Sequence, residues 1–138
     1  LSPAHILPGA RELLKELRER KVKIALASSS KNAKKVLEKI GLRNVFDVIV
    51  DGYDIKRAKP DPEIFLLTAK RLEENPSHCV VIEDAQAGIT AAKRAGMYAV
   101  GIGDPQILKG ADIVVKGVYE LDANRLLNLV NNKLRLWK

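Results

Sequence analysis

Three short stretches of this sequence bring together side chains that can do chemistry. Ser28-Ser29-Ser30-Lys31-Asn32 offers hydroxyls, an ammonium and a carboxamide in five successive residues. With the free backbone N–H groups and positive dipole end of a helix start, that set suits a phosphate. Glu83-Asp84 places two carboxylates side by side. Such neighbours repel unless a cation neutralises them, and oxygen-only donors without a nearby His or Cys point to Mg²⁺. Lys59 precedes Pro60, which biases it to extended backbone and lets its ammonium extend between the other two clusters. Each cluster also has a plainer reading: Ser30 capping a helix beside a solvated Lys31, Asp84 capping the next helix, and Lys59 simply solvated.

Other features carry less. Gly101-Ile102-Gly103 begins like a dinucleotide fingerprint, but Gln106 stands where the third glycine belongs and the stretch follows a late strand. There is no Walker lysine loop. His5 and His78 lie in turn-like contexts and read as solvated. A phosphate-accepting receiver domain would want acidic residues after its first strand, where this chain has serines.

The elements that must position these clusters follow from apolar periodicity. A helix after Pro8-Gly9 carries Leu13, Leu14 and Leu17 on one face, and Val22 to Ala27 reads as a buried strand. Ser30 is placed to cap a helix with Ala33, Val36, Leu37 and Ile40 on one side, ended by Gly41. Asp47 to Val50 is a second strand, Pro62 to Glu73 a helix, and Cys79 to Ile82 a third strand. A helix from Ala85 to Gly96, a strand from Tyr98 to Ile102, an edge strand from Asp112 to Val115 and a helix from Leu121 to about Leu134 complete the pattern. Buried strands alternating with helices imply right-handed crossovers and a doubly wound parallel α/β sheet covered on both faces. The serines and Glu83-Asp84 then fall at carboxyl ends of strands, where ligands bind in such sheets.

Length and composition set bounds. The 138 residues fit one domain, spanning 1–138, with no repeat or linker. With 46% apolar and 30% charged residues, the chain reads as globular rather than disordered. No apolar run approaches the roughly 18–20 residues of a membrane span, so no membrane partner is expected. The net charge of +7 does not point to nucleic acid. Residues 1–43 hold eleven Lys and Arg against four Asp and Glu, whereas residues 44–138 hold thirteen of each. The excess reads as solvated helix faces, and six aromatic residues make no stacking platform for a single strand. The lone Cys79 and the absence of a signal-like opening favour a reducing, cytoplasmic setting.

Together the three clusters have a family behind them. Leu26-Ala27-Ser28-Ser29-Ser30-Lys31-Asn32, Lys59-Pro60-Asp61-Pro62-Glu63-Ile64-Phe65 and Val81-Ile82-Glu83-Asp84-Ala85-Gln86-Ala87-Gly88-Ile89 resemble motifs two, three and four of the haloacid dehalogenase superfamily. The Ser-x-Ser-Lys-Asn loop most resembles its β-phosphoglucomutase branch. The resemblance implies a Rossmann-like core in which Ser28 hydrogen-bonds a transferring phosphoryl group and Lys59 balances its charge. It implies that Glu83 and Asp84 hold Mg²⁺, and that Ser30, Lys31 and Asn32 grip the second phosphate of a phosphorylated sugar.

The sequence departs from that pattern in one respect. The family's first motif, Asp-x-Asp, does not occur here, since Asp51 and Asp54 are three apart. By the resemblance, the nucleophile, the general acid/base and the helical cap are absent, and a start at Leu1 rather than Met fits a fragment. The family's nucleophile strand lies between those matching residues 22–27 and 79–82, so the sheet should lack its first central strand. The exposed inner edges should close by pairing directly, by self-association, or around a retained N-terminal peptide. The expected parent activity is a mutase interconverting β-glucose 1-phosphate and glucose 6-phosphate through an aspartyl-phosphate, with this chain inactive alone. A phosphomonoester phosphatase of the same superfamily is the first alternative, and a non-catalytic phosphate-binding or assembly module the second.

Overall fold

A computed structural model describes residues 8–136, with side chains through residue 130; His5 lies outside that range. In chain order the elements are α1 (Ala10–Glu19), β1 (Ala25–Ala27), α2 (Ala33–Lys39), β2 (Val48–Val50), α3 (Glu63–Leu72), β3 (Val80–Glu83), α4 (Gln86–Arg94), β4 (Tyr98–Ile102), β5 (Ile113–Val115) and α5 (Ala123–Leu136). Helix α1 forms because Leu13 and Leu17 recur at helical spacing on a buried face. Helix α2 stops where expected: Gly41 follows it at φ +74°, a left-handed conformation that costs glycine nothing.

All pairings are parallel, as the alternation of strands and helices requires, but they form two sheets rather than one. β1 pairs with β2, Ala25 opposite Val48 and Ala27 opposite Val50. β4 lies between β3 and β5, with Val80 opposite Tyr98 and Val100 opposite Ile113. β1 and β3 do not pair with each other, so the expected route of closing by direct pairing is not taken.

The first strand is also shorter than the apolar run from Val22. The Ile24 N–H goes to the Asp47 carboxylate at 2.7 Å, and Asp47 N–H returns a bond to the Ile24 carbonyl at 2.7 Å. A side chain thus replaces one rung of the ladder, and regular pairing begins one residue later. The same bracket recurs in the second sheet. Asp112 accepts from Ala99 N–H at 2.7 Å and donates its own N–H to the Ala99 carbonyl at 2.8 Å.

Helices cover both faces. On one side Ile64, Phe65 and Ala69 of α3 and Ile89 and Ala92 of α4 pack with Val50 and Ala99. On the other, Leu13, Leu17 and Leu126 pack with Ile24 and Val100. Ala99 and Val100 face opposite layers, as successive strand residues must. The first layer touches both sheets and the second reaches from the β3–β5 sheet to Ile24, just ahead of β1, so side-chain packing holds together what hydrogen bonding does not. Between β1 and β3 runs a slot of about 500 Å³, walled by Leu13 and Leu17 of α1, Phe65 of α3 and Leu126 of α5, with Ala27 and Glu83 at the strands' carboxyl ends. Ile82 on β3 is 38% exposed, unusual for a branched apolar residue in mid-strand.

Candidate functional site

The β3 side of the slot ends in a charge pair. Lys59 Nζ donates to Glu83 Oε2 at 2.9 Å, with side-chain exposures of 18% and 12%. The Lys59 ammonium also lies 5.1 Å from the centre of the Phe65 ring, and the Lys59–Pro60 peptide bond is cis. The other carboxylate oxygen, Glu83 Oε1, accepts the Ala85 N–H at 3.2 Å. Gly88 makes room for this arrangement: a Cβ there would lie 2.0 Å from Glu83 Cδ. Asp84 is exposed. The N-cap of α4 is Ala85, with no side-chain cap bond, so the plain capping role for Asp84 does not hold. Gln86 bonds both backbone groups of Lys109, at 2.9 and 2.6 Å, pinning the loop after β4 to α4.

The β1 side is built from backbone turns. Ser28 N–H continues the ladder to the Val50 carbonyl at 2.9 Å. Ser28 Oγ accepts the Ser30 N–H at 3.2 Å, and Ser30 Oγ accepts the Asn32 N–H at 3.1 Å. Ser30 therefore is not the cap of α2. That position falls to Asn32, whose side chain makes no cap bond. Both serine oxygens act as acceptors in these turns, which leaves each hydroxyl hydrogen free to donate outward. Lys31 is exposed, its ammonium 5.4 Å from the centre of the Tyr53 ring.

The structure brings together Lys59 and Glu83, and separately Ser28, Ser30 and Asn32, at the carboxyl ends of strands as expected. Among the described residues no hydrogen bond or ion pair joins the two groups. Sequence reasoning missed the turn that braces the serines. Asp51, 3% exposed, accepts the Tyr53 N–H at 3.0 Å. Asp54 accepts the Asp51 N–H at 2.9 Å and lies 3.4 Å from both Lys34 and Arg71. That backbone bond, followed by the two cations, holds the Asp54 carboxyl below its ordinary range. The usable signal was the Asp51-Gly52-Tyr53-Asp54 composition, an aspartate-rich turn able to bond its own backbone.

The donors at Glu83 and Asp84 fit a hard cation only as part of a set. They are oxygen donors without His or Cys, as Mg²⁺ prefers. Among the described residues, however, no group of three or more His, Cys, Asp or Glu side chains could hold a metal. Remaining positions would have to come from water, ligand or further chain. No helix among the described residues is long and apolar enough to cross a membrane.

The chain is thus a parallel α/β core with hydroxyl turns at the carboxyl end of one strand and a Lys–Glu pair at that of another. Residues 1–96 match the model for haloacid dehalogenase-like hydrolases, and the chain belongs to that family. It is 47% identical over 121 residues to β-phosphoglucomutase of Bacillus subtilis, covering 88% of this chain and 54% of that protein. It is 37% identical over 118 residues to validoxylamine A 7'-phosphate phosphatase of Streptomyces hygroscopicus, covering 82% and 55%. The crystal structure of β-phosphoglucomutase from Clostridium difficile superposes with a TM-score of 0.91 at 41% identity, covering 98% of this chain and 60% of that one. The chain thus spans little more than half the length of these relatives.

Proposed function

We propose that the complete protein is a Mg²⁺-dependent phosphosugar mutase of the β-phosphoglucomutase type, interconverting β-glucose 1-phosphate and glucose 6-phosphate through an aspartyl-phosphate. On this reading the present 138 residues supply most of its core and are inactive alone, because no Asp-x-Asp nucleophile motif is among them. The observation that carries the reading is the carboxyl end of the slot: Ala27 on one side leads directly into the phosphate-suited serine loop, and Glu83 on the other is paired with Lys59. The resemblance to mutases on both sequence and structure supports it.

In this role the free Ser28 O–H donates to an oxygen of the transferring phosphoryl group, and Lys59 offsets its charge. Ser30, Lys31 and Asn32 grip the second, non-transferring phosphate. Glu83 and Asp84 hold Mg²⁺, which when bound supplies neutralisation of phosphoryl oxygen charge. The chain's own contribution is positioning: the paired turns aim hydroxyls and Gly88 lets Glu83 reach Lys59, which is how phosphoryl transfer is promoted without covalent help from these groups. The lone Cys79 fits a reducing cytoplasm.

On this reading the slot is filled by one extended segment between β1 and β3, either a retained N-terminal peptide or a second copy of this chain. Denaturing and native mass of the purified protein decide this. A second, smaller polypeptide supports the retained peptide, a native dimer of single species supports self-association, and a native monomer of single species rejects both. The activity is tested by restoring the upstream coding segment and assaying conversion of β-glucose 1-phosphate. The phosphatase relatives give the competing outcome: hydrolysis of many phosphomonoesters without isomerisation would replace the mutase with a phosphatase. An upstream region lacking an in-frame Asp-x-Asp would leave a phosphate-binding module.

A further inference from the structure

The Asp51–Asp54 turn after β2 is more tightly tied to the serine loop than a neighbouring connection needs to be. Gly52 N–H donates to the Ser30 carbonyl at 3.2 Å. A Cβ on Gly52 would meet Ser29 O at 2.3 Å and Lys31 Cγ at 3.0 Å, so the two backbones interlock only because residue 52 has no side chain. The next residue, Tyr53, is 74% exposed and belongs to neither core. Its N–H is fixed by buried Asp51, which is itself held by Asp54 and Lys34, while Asp54 pairs with Lys34 and Arg71. The turn is anchored at every point except the ring, and the ring meets the Lys31 ammonium. A large exposed aromatic side chain on a braced turn has little to gain from solvent, whereas over a cation it gains a directed contact.

We propose that Tyr53 is a positioning residue for Lys31: its ring holds the lysine ammonium beside the Ser28–Asn32 loop, so that an arriving phosphate meets a cation already in place. This rests on the reading of that loop as a phosphate grip. A freely rotating lysine loses side-chain entropy when it binds an anion, and the ring removes part of that loss beforehand. The contact requires an aromatic ring but not the phenol oxygen. At an exposed site it corresponds to about a two- to fivefold change in affinity.

The test is titration of the 138-residue chain with inorganic phosphate, following the backbone amides of residues 28–32 by NMR, in wild type, Tyr53→Phe, Tyr53→Leu and Lys31→Met. The proposal expects Tyr53→Phe to bind as wild type, Tyr53→Leu to bind about two- to fivefold more weakly at unchanged melting temperature, and Lys31→Met to bind least. If Lys31→Met loses affinity while Tyr53→Leu keeps it, or if Tyr53→Phe weakens as much as Tyr53→Leu, the role of the ring is overturned and the phosphate grip stands. If Lys31→Met binds as wild type, or wild type shows no phosphate-dependent shift, the phosphate grip falls and the inference with it.

Discussion

The two half-sheets begin alike and end differently. At the amino ends, Asp47 and Asp112 act in the same way. Each carboxylate accepts the N–H of a neighbouring strand residue, Ile24 or Ala99, and each backbone N–H returns a bond to the same residue. Each carboxylate also carries a cation, Arg18 at 3.0 Å and Lys93 at 2.9 Å. At the carboxyl ends the likeness stops. One half closes in hydroxyl-to-backbone turns, the other in a largely buried Lys–Glu pair. The shared end is a solution to strand alignment that any parallel pair could use. The divergent end carries the groups suited to phosphate and cation, as expected where an α/β sheet presents its ligands.

Four substitutions would break or sharpen that contrast. The largest effect is expected at Lys59→Met. It leaves the Glu83 carboxylate largely buried without its counter-charge, and stability should fall by about 3 kcal/mol in urea unfolding. A loss of a few tenths would mean that the pair is a solvated contact. Asp47→Ala and Asp112→Ala should each cost about 1–2 kcal/mol through an orphaned strand N–H, and by similar amounts, since the brackets are alike; a large inequality would end the equivalence drawn here.

Asp47 adds a pH signature. The Ile24 N–H, then the hydrogen bond from Arg18, hold its carboxyl below the ordinary 3.8. Its contribution is therefore complete above that value and is lost as pH falls through the lower, folded one. Wild type should lose stability more steeply than Asp47→Ala across that acid range, and parallel acid limbs would contradict the assignment. The smallest effect is expected at Ser28→Ala, about 1 kcal/mol for the single turn bond to Ser30 N–H. Its stability loss should be small beside its effect on phosphate binding.

The fold was legible because its signals are redundant. Val48 to Val50 and Tyr98 to Ile102 are apolar runs bounded by turns, and Gly41 ends α2 as its placement predicts. Strand boundaries were less so. The apolar run from Val22 reads as strand, but Asp47, more than twenty residues away, takes the Ile24 N–H, and no local pattern announces a side chain acting as a ladder rung. At the site, residue types indicated the chemistry but not the partners. Glu83 and Asp84 look equivalent in sequence. Only the folded chain shows one turned onto Lys59 and the other facing solvent, because the absent Cβ of Gly88, five residues on, makes room for the first. Ser30 looked like a helix cap for the reason that serines often are, yet its oxygen is satisfied one step earlier, by Asn32 N–H.

The division of the sheet also gives this chain a built-in reporter. Amides along the facing edges of β1 and β3 have no ladder partner across the slot, so they should exchange with deuterium far faster than those between β4 and β5, although all sit within one packed body. A segment that seats itself between them would slow those edge amides selectively and leave the β4–β5 amides unchanged. Mass-resolved exchange could thus time the arrival of the occupant without any assay of catalysis.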